Sequence, residues 1–303
     1  MPKEEKGKFS VLEAYAKRYP VVEVNSTFYK LPRTSTCEKW WKSATSMNSA
    51  FEFAVKAHQD ITHTYGFELK KEAIELMERI LEICRSLHAQ ILLFQTPKSF
   101  QPTDENLKRA KEFFATFCEK RITMVWEMRG EAWKGESVIP EVEKILREYN
   151  VIHCTDILVD EPIWTGSLAY TRLHGLGKRM YYYKYTNDDL ISLKERIEEI
   201  FGNYNTIYVL FNNIDMYDDA MRFISLLKGE KLPPERWGVD ALLERLSDVT
   251  FPISKRELLN NYGKRKFFKS PSEYVTVSTY LNKIPDRSYN SLQELKEALE
   301  EVI

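Results

Sequence analysis

Seven short apolar runs recur between residues 21 and 212, each followed by a helical pattern or a loop, and this alternation restricts the chain more than anything else in it. Repeated βα units of this kind build a parallel sheet covered by helices. The runs begin near Val21, Phe51, Ile91, Ile122, Val151, Leu168 and Thr206. Helical spacing is expected over Phe9 to Tyr19, Leu69 to Leu87, Asp104 to Cys118, Ile139 to Tyr149, Asp188 to Phe201 and Asp218 to Leu227, several of them opening on an Asp or Thr suited to an N-cap. The stretch from Asp156 to Ser167 carries Pro162 and Gly166 without a helical stripe, which predicts a loop.

Each run also ends on a polar residue. Side chains alternate sides along a strand, so residues at i and i+2 share a face. Glu23 with Asn25, Glu127 with Arg129, and Arg172 with His174 are such pairs, while Lys56, Gln95, Asp156 and Asn212 close the other runs. In the last run Ile207, Val209 and Phe211 are expected to face helices, leaving Tyr208, Leu210 and Asn212 inside. If the units close into a ring, these endings meet at one mouth, where function resides in such barrels. The expected fold class is therefore α/β, a TIM-type (β/α)8 barrel lacking its first strand, since Phe9 to Tyr19 reads as a helix. Leu232-Pro233-Pro234 marks a break. The expected domains are the barrel over 1–231 and a small, mainly helical C-terminal domain over 235–303.

Ten rim residues mixing carboxylates and cations admit two readings. In the functional one, Glu23, Glu127, Asp156 and His174 are the catalytic acid/base set, because burial and neighbouring charges move pKa values toward neutrality. Lys56, Arg129 and Arg172 then bind an anionic substrate, helped by Asn25, Gln95 and Asn212. Tyr183, within Tyr181-Tyr182-Tyr183, could stack on a ring. The bland reading is a self-neutralising Glu–Arg network that plugs the barrel end.

His63, His174, Glu23, Glu127 and Asp156 are metal-ligand types, but no H-E-x-x-H spacing joins them. A divalent metal is one expectation and the cofactor is left open. No G-x-G-x-x-G, Walker loop or G-x-S-x-G is present, which excludes the corresponding dinucleotide, P-loop and α/β-hydrolase sites. A net charge of -1 gives the molecule no overall pull toward polyanions. A nucleic-acid partner then rests on a local basic patch alone, Lys264-Arg265-Lys266 and Lys269 with Phe267, Phe268 and Tyr274. The four cysteines are scattered, and no span or signal segment is evident, so a cytoplasmic location without membrane contact is expected. Oligomeric state is left open.

The motifs Val22-Glu23-Val24-Asn25-Ser26-Thr27-Phe28-Tyr29, Phe51 to Lys56 with Ile61-Thr62-His63, Gln95-Thr96-Pro97, Trp126-Glu127-Met128-Arg129 with Trp133, Tyr170 to Gly175 and Phe211-Asn212-Asn213 resemble the DUF72 (YecE-like) family over residues 10 to 228. The resemblance implies a TIM-type barrel similar to endonuclease IV and xylose isomerase-type proteins, and no defined activity. The chain departs from that family in lacking its Gly-x-Ser-Gly-Trp opening strand and in having Ile214 where a His is common. The tail from Phe251 is similar to the small DUF2795-type domain. Three functions are carried forward: hydrolysis of a phosphate-bearing substrate, nucleic acid included; a non-catalytic binding barrel; and a glycosidase using Glu23 and Glu127.

Overall fold

The structure is a computed structural model and describes residues 9–118 and 121–303. Two compact units emerge, one holding the described residues through Arg172 with Ile200–Leu210, the other Leu173–Glu199 with Phe211–Ile303.

The first unit alternates helix and strand in the expected order. It comprises α1 (Val11–Ala16), β1 (Val21–Val24), α2 (Thr34–Met47), β2 (Glu52–Lys56), α3 (Lys71–Ser86), β3 (Ile91–Gln95), α4 (Asp104–Phe117), β4 (Thr123–Glu127), α5 (Ile139–Tyr149), β5 (Ile152–His153), and most of β6 (Ala169–Leu173) and β7 (Ile207–Phe211). Strands β1 to β5 form one sheet in chain order, β6 pairs with β7, and a parallel bridge from Thr155 to Thr171 links the exit of β5 to β6. Each pairing from β1 to β5 is parallel. Local signals set the helix ends. Ser10 and Glu13 cap α1 reciprocally, Thr103 caps α4, and Asn150 closes α5 in the left-handed region. Helix α2 was not among the expected helices, because its buried apolar side is thin, with only Cys37 and Ala44 fully covered. No helix interrupts Asp156 to Ser167, as the Pro and Gly there require. The expected loss of a strand before Val21 bears in part on residues 1–8, which lie outside the described residues; the described chain enters β1 from α1.

Alternation along the strands divides the apolar residues into two layers. Val55, Leu92, Phe94, Met124 and Trp126 pack against the helices, in one cluster with Met77, Phe113 and Phe114. Ala54, Ile91, Leu93, Val125, Ile152, Cys154 and Tyr170 face the other way, with Tyr208 and Leu210 packed on them. That inward set includes the strand positions that parity selects. Tyr170 hydroxyl donates to Glu23 Oε2 at 2.8 Å, and Tyr208 hydroxyl donates to Glu52 Oε2 at 2.5 Å, so side chains of β6 and β7 reach back to β1 and β2.

Register explains how the ends converge. Glu23 pairs with Ala54, Ala54 with Ile91, and Ile91 with Thr123, so Glu127 lies four residues farther along than the level of Glu23. This stagger is the shear that a curled sheet requires.

The second unit contains most of α6 (Asn187–Phe201), then α7 (Met216–Leu227), α8 (Gly238–Arg245), β8 (Ile253–Ser254), α9 (Lys255–Tyr262), β9 (Lys266–Ser270), β10 (Glu273–Thr276), α10 (Ser278–Leu281), β11 (Ser288–Tyr289) and α11 (Leu292–Glu300). The tail has its own apolar cluster, with Leu242, Leu258, Phe267, Leu281, Tyr289 and Leu295 fully buried. Short helices alone do not describe it, because β9–β10 and β8–β11 are antiparallel pairs. The basic run enters β9, and its Phe267 and Phe268 are buried, so these rings are core residues and not stacking surfaces. Arg265 is occupied by Asp248 at 2.5 and 2.9 Å. Among the described residues no helix is long and apolar enough to cross a membrane.

Candidate functional site at the strand ends

Five of the expected rim residues form one buried charge cluster in the first unit. Arg172, near the end of β6 and 1% exposed, places Nη2 2.7 Å from Glu23 Oε1 and donates from Nη1 to Glu127 Oε2. Glu127, the last residue of β4, receives Arg129 Nε on its other oxygen at 2.5 Å. Glu23 has Tyr170 as a further donor. Burial works against the charge of Arg172, but Glu23 and then Glu127 outweigh it and hold the guanidinium firmly protonated. Tyr170 is held in its neutral, donating form, first by burial and then by Glu23. Arg172 Nε is buried without a hydrogen-bond partner among the described residues. The bland reading thus describes the centre of the cluster correctly: Glu23, Arg172, Glu127 and Arg129 alternate in sign and neutralise one another.

Lys56 stands apart from that balance. It ends β2, is 8% exposed, and its Nζ lies 2.9 Å from Gln95 Oε1 and 4.2 Å from the centre of the Phe28 ring. Lys56 pairs with Leu93 in the sheet, two residues short of Gln95, so the long lysine side chain spans the stagger. Among the described residues no carboxylate comes within ion-pair distance of its ammonium. Burial lowers its pKa to about 8, with Arg172 the next contributor; Glu23 and Glu127 oppose the shift and Arg129 adds to it.

Thr27, Phe28 and His63 lie around Lys56 although none of them ends a strand. Thr27 is fully buried and its hydroxyl donates to the carbonyls of Val24 (2.6 Å) and Lys56 (2.7 Å), clamping the ends of β1 and β2. His63 occupies a single π-helical turn, Asp60–Thr64, and meets the Phe28 ring edge-on at 5.1 Å. Its pKa is lowered by burial, then by Lys56 and Arg129, which keeps it neutral. Isolated π turns of this kind recur at functional sites. Parity could have found Tyr170, two residues before Arg172. Thr27, Phe28 and the orientation of His63 have no such signal, because the chain has left the strand before reaching them.

Several expectations require correction. Asn25 does not share the Glu23 face, since β1 ends at Val24 and Asn25, itself exposed, opens a 3₁₀ turn. Asp156 heads a turn instead of a strand end: its Oδ1 accepts from the Leu158 N–H at 3.2 Å, and its carbonyl from Val159 and Asp160 at 2.8 Å. Arg172 cannot greet an anion with its terminal nitrogens, because both hold carboxylates. His174, Tyr183 and Asn212 belong to the second unit. There Asn212 Nδ2 lies 3.3 Å from His174 Nδ1, and His174 meets the Tyr181 ring edge-on at 5.5 Å. Tyr183 is buried, its hydroxyl is committed to Asp189 at 2.8 Å, and a Cβ on Gly175, which sits at φ +91°, would lie 2.4 Å from the Tyr183 Cβ. Its ring packs the turn after β6 and is not presented for stacking.

Neither metal nor thiol chemistry finds support in the first unit. Glu23, Glu127, Asp156 and His63 do not form a ligand group among the described residues, whereas Asp215, Asp218 and Asp219 of the second unit bring carboxylate oxygens within 4.8 Å of one another. Lys184 already supplies a cation there, at 2.8 Å from Asp215 and 2.9 Å from Asp218. Burial, followed by Glu127, pushes the Cys154 thiol far up, so it stays protonated and poorly nucleophilic.

Comparison with known proteins agrees with the architecture. UPF0759 protein YunF of Bacillus subtilis is 26% identical over 255 residues, covering 71% of this chain and 86% of that protein. A DUF72 family protein of Enterococcus faecalis superposes with a TM-score of 0.60 at 20% identity, over 72% of this chain and 93% of that one. One from Thermotoga maritima gives 0.54 at 23%, over 69% and 85%. A xylose isomerase domain containing protein of Salmonella typhimurium gives 0.51 at 14%, over 72% and 93%, which extends the likeness to TIM-barrel-like folds. The family model described as "Protein of unknown function DUF72" matches residues 1–238, and this chain belongs to the DUF72 family.

Proposed function

We propose that the strand-end cluster binds a small anionic substrate, a phosphate ester in the first instance, and that the protein is an enzyme acting on it. One observation carries this: the buried Lys56 ammonium meets a neutral amide and an aromatic face where a carboxylate would be expected. Around Lys56 the groups that act on its charge are the cations Arg172 and Arg129 and the carboxylates Glu23 and Glu127. An anion beside Lys56 offsets the charge of its buried ammonium. Glu127, between two guanidinium groups at the end of β4, is the candidate for proton transfer during hydrolysis. The glycosidase reading fares worse, because Arg172 stands between the two carboxylates where such an enzyme needs the scissile bond. Residues 235–303, DUF2795-like in sequence, are proposed to recruit a partner, and the whole to work in the cytoplasm.

The test is thermal stabilisation by inorganic phosphate at constant ionic strength, with sugar phosphates and short phosphodiesters screened for turnover. Phosphate should raise the melting temperature of the native protein and not of Lys56→Gln. Equal shifts in both proteins would overturn the anion site. Turnover that survives Glu127→Gln would remove Glu127 from the chemistry, and stabilisation by a compound that is never consumed would favour a binding barrel.

A further inference from the structure

The geometry points to Lys56 as a covalent nucleophile that forms an imine with a small aldehyde or ketone carrying the anionic group. This deepens the reading above and rests on it for the anionic half of the substrate.

Lys56 projects from the end of a parallel strand into a polar cluster, its backbone fixed by pairing with β3 and by the Thr27 hydroxyl on its carbonyl. Its Nζ has one hydrogen-bond partner among the described residues, the Gln95 amide oxygen, and rests on Phe28. Such a nitrogen is positioned yet is not tied up by an ion pair. A neutral amide and a ring do little to retain a proton, whereas carboxylate contacts keep lysines charged and inert. Desolvation together with neighbouring cations is the recognised route to a nucleophilic lysine. The charged and titratable groups facing it are Glu23 from β1, Glu127 and Arg129 from β4 and just beyond, Arg172 from β6, and His63 from the π turn. Their balance leaves the ammonium with a pKa of about 8, so the free amine is present at neutral pH.

The step balances without a further reactant. The amine lone pair adds to the carbonyl carbon, forming a C–N bond and a carbinolamine. The nitrogen gives up a proton, the hydroxyl gains one and leaves as water, and the product is a protonated imine. Counted from the ammonium, lysine and carbonyl give iminium and water with no net change in protons. The iminium keeps the positive charge that Lys56 brought, so attraction for a neighbouring phosphate or carboxylate survives the covalent step. It also withdraws electrons from the adjacent carbon, which suits proton removal or carbon–carbon cleavage there.

The experiment is reductive trapping with sodium cyanoborohydride, using glyceraldehyde 3-phosphate and, as the uncharged probe, glyceraldehyde, with initial rates read at each lysine by peptide mass mapping. Lys56 should be modified about tenfold faster than the median lysine near neutral pH, with a rate that rises through pH about 8. Inorganic phosphate should slow the phosphorylated probe. A Lys56 labelled no faster than the median lysine overturns the inference, and if phosphate stabilises that same protein, the anion site stands alone. Fast labelling by both probes, indifferent to phosphate, keeps the nucleophile and overturns the anion reading. Lys56→Arg should keep phosphate stabilisation while losing the adduct at this position; if it does not fold, phosphate competition in the native protein still decides.

Discussion

Lys56 and Lys184 are both largely buried lysines, one at a strand end of the first unit and one in the second, and their pKa values move in opposite directions. Lys184 is drawn down by burial, but hydrogen bonds and charge from Asp215, then Asp218, more than compensate and its pKa rises. Lys56 is buried more deeply, has Gln95 and Phe28 as neighbours, and its pKa falls. Burial sets the size of the penalty; the partner decides whether it is offset. One ammonium is held by two carboxylates, and the other is the one proposed to act on a substrate.

The largest effect is expected where that offset is removed altogether. Arg172→Ala takes the guanidinium away from both Glu23 and Glu127 in a buried setting, and should cost about 3–5 kcal/mol in urea unfolding. A loss near zero would mean the cluster is wet and the contrast with Lys184 empty.

Next comes Asp219, a buried carboxyl beside Asn213, Tyr185 and Arg222 whose pKa is raised from 3.8 to about 7, chiefly by burial. The folded state holds that proton more tightly than the unfolded one. Stability should therefore fall as pH rises from about 4 to about 7, and Asp219→Asn should flatten this limb by about 2–4 kcal/mol. Parallel pH profiles of the two proteins would refute it.

The smallest effects test the lysines directly. Lys184→Met strands Asp215 and Asp218 and should destabilise by about 1 kcal/mol, whereas Lys56→Met removes an uncompensated ammonium and should be neutral or stabilising by up to about 1 kcal/mol. The pH dependence carries the sign. With its folded pKa below 10.5, Lys56 binds its proton less tightly when folded, so stability rises with pH between about 8 and 10.5. That rise should vanish in Lys56→Met, while Lys184→Met should steepen no such limb. Equal losses in the two variants would erase the distinction.

The strands were legible because repeated βα units write themselves twice, in the spacing of apolar runs and in their parity. All seven runs match strands, and the inward positions of β7, Tyr208 and Leu210, lie where alternation puts them. Parity failed where the strand stopped. Asn25 and Asp156 sit one to three residues beyond their strands, in a 3₁₀ turn and a side-chain-capped turn, and no period of two extends into a turn. Tyr183 was misread for a different reason: an aromatic run is the same text whether its rings face a ligand or a glycine turn.

By itself the sequence determined the order of the strands, the family, and that Glu23, Lys56, Glu127 and Arg172 occupy inward-facing strand positions, since these follow from local alternation. Only the tertiary structure decided which charges touch. Strand stagger gives both carboxylates to Arg172 and leaves Lys56 to Gln95, and a residue's chemistry depends on those through-space contacts, which neighbours in sequence do not specify.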